Sequence, residues 1–371
     1  MADLERVVLG FSGGVDSFAA ARLLEEQGFE VVACFLVLGG AGDDILRERA
    51  RAAAAILGLE LWQEDLSGFF AANVIDYLKA AYTRGETPNP CVSCNAFVKF
   101  AGLAAVADRL GIARLATGHY CRRSPEAGRE AEAEEMEPRL LLRAADWAKD
   151  QSYFLCRVPA TLLFRTLFPL GEFPKARVRE LAAAAGLKLS GYRESQELCF
   201  LNGEDYREFL RREGRAASRP GEIVLFSGEV VGRHRGLENY TVGQRRGLDI
   251  AWSEPLYVIK LDFAENRLVA GPRSVAGKRE FWVRELNWAG PAPSASRSVF
   301  CQIRYRHTPA PAVIEPTPQA GFYRVEFEKP QFAVAPGQAA AFFQGDALLG
   351  GGVICRPEGV PEVLRTGREE E

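Results

Sequence analysis

Over residues 1–120, short apolar runs alternate with stretches whose apolar positions recur every three or four residues. The runs at 6–10, 31–36, 59–63 and 113–117 predict strands, and the periodic stretches at 16–27, 43–57, 69–83 and 95–110 predict helices. This alternation predicts an α/β domain with a parallel sheet, whose ligands bind beyond the C-terminal strand ends. Residues 122–139 carry Arg122, Arg123 and Pro125 and then six acids, which reads as a surface excursion and not as core. Order returns at Leu140–Arg143, and 172–187 reads as an Arg/Lys-bearing amphipathic helix. From about 204 the pattern shifts. Arg207, Arg211, Arg212, Arg215 and Arg219 crowd a helix and its exit, and short β runs follow at 222–226, 229–233, 256–261 and 267–270. After about 276 only strand-like runs remain, at 281–288, 299–306, 312–315, 322–328, 339–344 and 347–355. Their spacing, with Gly/Pro turns, predicts a small β-barrel. The domains expected are therefore 1–203, a small central domain at 204–275 and the C-terminal β-barrel at 276–358, with a frayed tail at 359–371.

The chemistry gathers at the strand ends. Phe11-Ser12-Gly13-Gly14-Val15-Asp16-Ser17 joins the first strand to the first helix. A Gly-rich strand-to-helix turn presents backbone N–H groups and a helix N-terminus to a phosphate. Asp16 suits a bound Mg²⁺ or the capping of backbone donors. The stretch has neither the lysine of a Walker loop nor the spacing of a dinucleotide fingerprint. Leu36, at the end of the second strand, is placed to wall an adenine ring. Gly118 and His119 lie at the end of another strand on the same edge, although a lone histidine is usually structural. Between the third and fourth helices, Gly85-Glu86-Thr87-Pro88-Asn89-Pro90 reads as irregular, and Cys91-Val92-Ser93-Cys94 leads into a helix expected to start near Asn95. A helix N-terminus lowers a thiol's pKa, so Cys94 is expected to be thiolate-like. Lys149-Asp150-Gln151-Ser152-Tyr153-Phe154 opens another apolar run, as a plain helix start would. Cys199 stands among polar residues, far in sequence from the first two thiols. Tyr240–Gly247 is a basic loop, and Arg304-Tyr305-Arg306 alternates charge and aromatic on one predicted strand, a mix that holds phosphates and stacks on bases.

Composition narrows the setting. A chain of 371 residues exceeds one typical domain, and 47% hydrophobic with 26% charged residues is that of an ordinary soluble protein. The net charge of −3 means that nucleic-acid contact must use local basic patches. No apolar run approaches the ~18 residues of a membrane span. Asp3 and Glu5 ahead of the first strand argue against a signal peptide. Eight cysteines in this length do not make a disulfide scaffold. Cys34, Cys121, Cys156, Cys301 and Cys355 sit in apolar or strand contexts and read as packing residues. The location expected is cytoplasmic.

The Gly-rich loop resembles the SGGxDS loop of the PP-loop ATP pyrophosphatases, which adenylate a substrate oxygen. Taken with TPNP-x-x-x-CN, ATGHY, KDQSYF, the LCF cysteine, YTVGQRRGL, IRYR and PGQ followed by LGGG, nearly the whole chain resembles the tRNA-specific 2-thiouridylases. The resemblance implies a PP-loop domain, a central domain and a C-terminal β-barrel. It implies ATP held by Gly10, Phe11, Ser12, Gly13, Gly14, Val15, Asp16, Ser17, Leu36 and Gly118. It makes Cys199 the sulfur carrier, as a persulfide, and Cys94 its partner through a disulfide on release. Asn89, Pro90 and Cys91 would touch the target base. His119, Lys149, Asp150, Gln151, Arg304, Tyr305 and Gln338 would contact the tRNA. The partners implied are a tRNA anticodon loop and a sulfur-donor protein or cysteine desulfurase relay.

Many relatives carry Asp where this chain has Cys91. Three thiols, Cys91, Cys94 and Cys199, would suffice for three irons of a [4Fe–4S] cluster whose fourth iron delivers sulfide. The rivals are a persulfide on Cys199, with Cys91 a spare or resolving thiol, and a zinc site completed by a fourth ligand. Two other functional classes stand beside thiolation: an amidating PP-loop synthetase, and a non-catalytic RNA-binding or sulfur-carrier protein. The first has no use for the barrel with IRYR or for three placed thiols. The intact phosphate loop argues against the second.

Overall fold

A computed structural model of the chain describes residues 4–40, 42–124, 141–190, 198–201, 203–212 and 219–356. Most of the acidic excursion, residues 194–197, Arg215 and the C-terminal tail lie outside the described residues. The first domain is a five-stranded, all-parallel sheet in the order β3-β2-β1-β4-β7. Its strands are β1 (Arg6–Gly10), β2 (Glu30–Val37), β3 (Leu61–Asp65), β4 (Arg114–Thr117) and β7 (Thr166–Leu167). Val7, Val8 and Leu9 of β1 have no exposed surface, as a central strand covered on both faces requires. The chain runs from β1 outward to β2 and β3, then returns to the other side of β1 with β4. That reversal makes the C-terminal end of β1 and β4 a topological switch point, where ligands of such sheets bind.

The predicted helices at 16–27 and 43–57 appear as α1 (Val15–Glu26) and α2 (Asp43–Leu57). The helix expected at 95–110 starts earlier and spans Pro90–Arg109. The expectation failed at Pro90 because proline is acceptable as the first helical residue, where its missing N–H has no intrahelical partner to lose. The Asn89 side chain caps the helix, accepting from the backbone N–H of Cys91 at 3.2 Å and of Val92 at 3.3 Å. This helix is long and apolar enough by composition to cross a membrane, but most of it is buried against the rest of the molecule.

The central region is a four-stranded sheet, β10-β11-β8-β9, built from β8 (Gly221–Leu225), β9 (Val230–His234), β10 (Tyr257–Asp262) and β11 (Arg267–Gly271). The last region is a closed barrel of β12 (Gly277–Trp288), β13 (Arg297–Gln302), β14 (Ala310–Pro316), β15 (Phe322–Phe332), β16 (Ala339–Gln344) and β17 (Ala347–Cys355). Pairing of β12 with β17 closes it. Phe281, Val283, Ile303, Ile314, Val325, Phe327 and Phe342 fill its interior. Strand β13 ends at Gln302, so Arg304-Tyr305-Arg306 lies in a turn and not on the predicted strand. The buried Gln302 side chain donates to the carbonyls of Arg304 and Tyr305, at 3.2 and 2.8 Å, and folds the chain over.

The barrel sheet continues into the first domain. A hairpin of β5 (Cys121–Arg123) and β6 (Leu141–Arg143) pairs along β17. Arg143 anchors this junction. Its guanidinium is buried, 2.9 Å from Asp150 and 3.1 Å from the Gln302 side chain, and lies over the Phe343 ring. Asp150 also accepts from the N–H of Ala144 and of Ser152 and from the Ser152 hydroxyl. With its carboxylate closed in this way, Asp150 holds this junction together. Removing one member of a buried pair strands the other, which costs about 3 kcal/mol. Asp150→Ala is therefore expected to lower the unfolding free energy by about that much in urea titration. A change under about 0.5 kcal/mol, the range of ordinary surface substitutions, would contradict the role.

Candidate active site

The loop between β1 and α1 forms a tight cradle. Gly13 has φ +70°, and a Cβ there would come within 2.6 Å of the Ala50 backbone in α2. Only glycine takes this conformation so close to a neighbouring backbone. The cradle is pinned by the Ser17 hydroxyl, which donates to the Gly14 carbonyl at 3.1 Å, and by the Phe11 N–H, which donates to the Cys34 carbonyl at 2.7 Å. Gly118, past the end of β4, packs on the start of α1, where an added Cβ would lie 3.2 Å from the Ser17 nitrogen. Leu36 is part-exposed at the end of β2. Gly10 through Ser17, Leu36 and Gly118 thus share one edge of the sheet, and α1 aims its N-terminus into it. Asp16 is not open for a metal as the site stands. The Lys175 ammonium lies 2.5 and 2.7 Å from its two oxygens, and the Tyr120 hydroxyl donates to it at 2.7 Å. Nothing in the sequence around Lys175 signals this; the contact arises because helix Lys175–Ala184 packs along α1.

A second constellation lies on the helix Pro90–Arg109. Cys91 is part-exposed in its first turn and Cys94 is buried. Cys199 is exposed, and its neighbour Phe200 packs into the apolar cluster that contains Cys94, Phe70, Val74 and Phe209. Phe200 also passes Gly40, where a Cβ would lie 3.3 Å from its backbone, so the Cys199 segment crosses the edge at the end of β2. All eight cysteines are free, and the five read as packing residues are buried. The expectation for Cys94 is overturned. Burial pushes its thiol up to about 11, with Lys99 acting in the opposite direction. Cys94 is the fifth residue of the helix and not a residue just ahead of its start, and desolvation outweighs the helix-end effect. Burial raises Cys91 as well.

The residue the sequence reading passed over here is Lys99. Burial alone would lower its pKa, but the sulfurs of Cys94, Cys199 and Cys91 together raise it. The backbone explains the placement. Residues Asn95–Lys99 form a π-turn, closed by the Phe100 N–H donating to the Asn95 carbonyl. Such a turn carries one extra residue and brings Lys99 round toward the Cys94 side of the helix. A lone lysine in the run Phe97-Val98-Lys99-Phe100 was the available signal. His119 faces the same group. Its Nδ1 lies 3.0 Å from the Thr117 hydroxyl and its ring packs on Phe100. Burial, and then Lys99, lowers it to about 3, so it is neutral at physiological pH. Among the described residues no set of three or more His, Cys, Asp or Glu side chains is gathered to hold a metal ion. The three thiols therefore do not form a ready-made cluster or zinc site, and no step below is routed through one.

The remaining expected contacts lie around the loop 85–90 and on the barrel. Asn89 is occupied in capping its helix, and Pro90 is buried. Gln338 donates its amide to the Thr87 carbonyl at 2.8 Å, and the Gln151 side chain accepts from the Tyr120 N–H at 3.0 Å. Lys149 is part-exposed. Tyr305 packs on Phe154 with ring centroids 4.6 Å apart. Arg304 donates to the Phe332 carbonyl at 2.8 Å, and Arg273 from the central domain lies over the Phe332 ring. Burial, and then Arg273, lowers the Arg304 pKa. Among the described residues neither arginine has an acidic partner, so two guanidiniums converge at the seam of two domains.

Three family models cover the chain. One described as a tRNA methyl transferase HUP domain matches residues 5–203, one described as a tRNA methyl transferase PRC-barrel domain matches 207–272, and one described as an aminomethyltransferase beta-barrel domain matches 278–354. Full-length relatives agree with them. The chain is 46% identical to the tRNA-specific 2-thiouridylase MnmA of a Synechococcus strain, covering 95% of each chain. It is 42% identical to that of Chloroflexus aurantiacus, over 96% of this chain and 99% of the relative. It is 43% identical to that of a Synechocystis strain, over 95% and 97%.

The thiol geometry sets a reactivity order. With iodoacetamide at pH 8 and peptide mass spectrometry, Cys199 is expected to alkylate first and Cys94 last of the three. Lys99→Met should shift the pH profile of Cys94 alkylation further upward, because an ammonium beside a thiolate is lost. An unchanged profile would remove Lys99 from the thiol site.

Proposed function

Because this chain belongs to the family of tRNA-specific 2-thiouridylases, we propose that it installs sulfur at C2 of the wobble uridine of tRNA at the expense of ATP. The observation that carries the reading is the meeting of two unlike sites along one sheet edge. One is a phosphate cradle made by Gly13, Gly14, Ser17 and the α1 N-terminus. The other is a thiol group made by Cys91, Cys94 and Cys199 around Lys99. ATP supplies the leaving group. The uracil C2 oxygen attacks the α-phosphorus, pyrophosphate departs, and C2 now carries AMP as a leaving group. A sulfane sulfur on Cys199 attacks C2 and AMP leaves. The Cys94 thiolate then attacks the Cys199 Sγ, and the sulfur–sulfur electron pair passes to the sulfur on C2. The products are 2-thiouridine and a Cys94–Cys199 disulfide, which an external thiol reduces; a sulfur-donor protein reloads Cys199.

The residues have distinct duties in this reading. Cys199 is exposed and so accessible to a donor, whereas Cys94 is buried and acts once the substrate has closed the site. Lys99 is the cation that favours the thiolate form of Cys94. Neutral His119, a hydrogen-bonding group without charge, faces the base. Cys91, in the first turn of the helix, lines the pocket for the base. Arg304, Tyr305 and Lys149 take the anticodon stem–loop by phosphate contact and stacking, with the uridine splayed out of its stack. Arg273 adds a second charge beside Arg304. The cytosol, where unmodified tRNA is found, is the location that goes with this activity.

The test is thiolation itself, read as 2-thiouridine in digested tRNA by mass spectrometry. Cys199→Ser should abolish it while leaving ATP binding intact, and retained 2-thiouridine would refute the role. Pyrophosphate release should depend on added tRNA; dependence on a small carboxylate instead would favour an amidating synthetase. Arg304→Ala should weaken tRNA binding and reduce the slope of log affinity against log salt by about 1. An unchanged slope would take Arg304 out of the phosphate contacts.

A further inference from the structure

The basic loop that follows Tyr240 has no duty in the thiolation scheme, yet the fold builds it as a closed unit. The Gly243 N–H donates to the Val258 carbonyl at 2.8 Å, and the Val258 N–H donates to the Gln244 carbonyl at 2.9 Å. These two bonds bring together the ends of the segment Arg245–Tyr257. The Gln244 side chain braces it, accepting from the Thr241 N–H at 3.1 Å and donating to the Arg246 carbonyl at 2.9 Å. Leu248 and Leu256 are buried in the core of the central sheet and fix the loop to it. A compact surface loop with close ends and packing of its own is frequently a functional element. This one borders an open hollow of about 490 Å³, lined by residue 245 and residues 247–256. That size is in the range of ligand pockets.

We propose that this hollow is a second RNA contact, which takes an unpaired base of the tRNA other than the target uridine. The inference rests on the tRNA reading given above. Trp252 supplies the stacking face. It lines the hollow and is 43% exposed, although tryptophan is highly buried on average. Every base has a π-face, so an exposed indole takes an unstacked base without a hydrogen-bond code. Arg245 and Arg246 are exposed where the loop begins, and among the described residues neither has an acidic partner. Asp249 does not cancel them, because Arg235 lies 3.6 Å from it. Glu254 is the remaining acid of the loop, so two guanidiniums stand against one carboxylate in a chain whose net charge is −3. Indole and guanidiniums together match the base and the phosphates of a nucleotide, whereas an apolar protein segment would leave the charges unanswered. The position of the loop points the same way. An added Cβ at Gly243 would lie 3.4 Å from the Phe332 ring, and the Tyr257 ring meets that of Phe332 edge-on at 5.3 Å. Both roots of the loop thus rest on Phe332, the residue that Arg304 bonds and Arg273 covers. RNA held by those two arginines passes the roots of the loop.

The rival is a loop that only packs the central domain. Equilibrium binding of full-length tRNA over a series of salt concentrations separates the two. Trp252→Ala is expected to weaken tRNA about tenfold, the usual worth of one stacked base, without changing the slope of log affinity against log salt. Trp252→Phe is expected to recover most of the affinity. Arg245→Ala and Arg246→Ala are each expected to reduce the slope by about 1. No loss in Trp252→Ala, or a loss that Trp252→Phe does not recover, would overturn the proposal. Hydroxyl-radical oxidation of the unaltered protein, read at Trp252 by peptide mass spectrometry, guards against a variant that fails to fold. Saturating tRNA is expected to protect Trp252, and a fully paired RNA duplex is not. Oxidation unchanged by tRNA would overturn the proposal, and so would equal protection by the duplex, which would leave charge alone at work. A tRNA with an abasic wobble position is expected to protect Trp252 as well as the intact tRNA does at saturation. Loss of that protection would make the target uridine the occupant and overturn the proposal. Failure of the unaltered protein to bind tRNA would sink the thiolation reading itself, an outcome distinct from losses confined to the loop variants.

Discussion

The buried carboxylate of Glu86 is the contact on which the arrangement of the three domains depends. It belongs to the first domain, in the loop just ahead of the thiol-bearing helix. Its partner Arg284 comes from β12 of the barrel, at 2.9 and 3.2 Å, and Arg84 adds a third bond. Burial opposes the charge, but the bonds from Arg284 and then Arg84 outweigh it, and Glu86 stays below the usual carboxylate range. The loop is held along its length. The Thr87 N–H donates to the Pro336 carbonyl at 2.8 Å, Gln338 donates to Thr87, and Arg356 donates to the Gly85 carbonyl at 2.7 Å. From the central domain, Phe263 packs so closely on Gly85 that a Cβ there would collide with its ring. The segment that aims Cys91 and Cys94 is thus set by contacts from all three domains as well as by its own Asn89 cap.

That constraint suits the chemistry. Sulfur transfer needs a nucleophile that persists in water and a partner thiol that does not act early. Burial raises the Cys94 thiol and Lys99 acts in the opposite direction, which in the proposed mechanism would withhold Cys94 until the site is occupied. The same burial keeps His119 neutral, so Lys99 is the cation that faces all three sulfurs. The π-turn at Asn95–Lys99 links the helix to this task, since an uninterrupted α-helix would carry Lys99 round to a different side.

The parallel sheet, the barrel strands and the tight Gly-rich turn after β1 were legible in the sequence because each rests on local signals: continuous apolar runs, Gly/Pro punctuation and closely spaced glycines. What escaped depended on tertiary placement. Pro90 reads as a helix breaker in the sequence, because whether a proline breaks or begins a helix depends on its position relative to a cap that only the folded chain defines. Cys94 was expected to be acidic because burial is invisible in a motif. Asp150 stands in a stretch that reads as a plain helix start, yet it closes a buried pair with Arg143. Lys175 and Arg273 reach their sites across large sequence separations, and nothing around them marks the destination. The β5–β6 hairpin escaped for the same reason, since its partner strand lies some two hundred residues further on.

The most direct test of this account is amide hydrogen exchange over residues 85–92, read beside single-turnover thiolation, in the unaltered protein and in Arg284→Ala. The account predicts that exchange at Thr87, Cys91 and Val92 speeds up in the variant while β1 keeps its protection, and that thiolation falls with it although ATP still binds. A loop that loosens with no loss of thiolation, or thiolation lost with the loop as protected as before, would contradict the claim that the three domains set the thiol site.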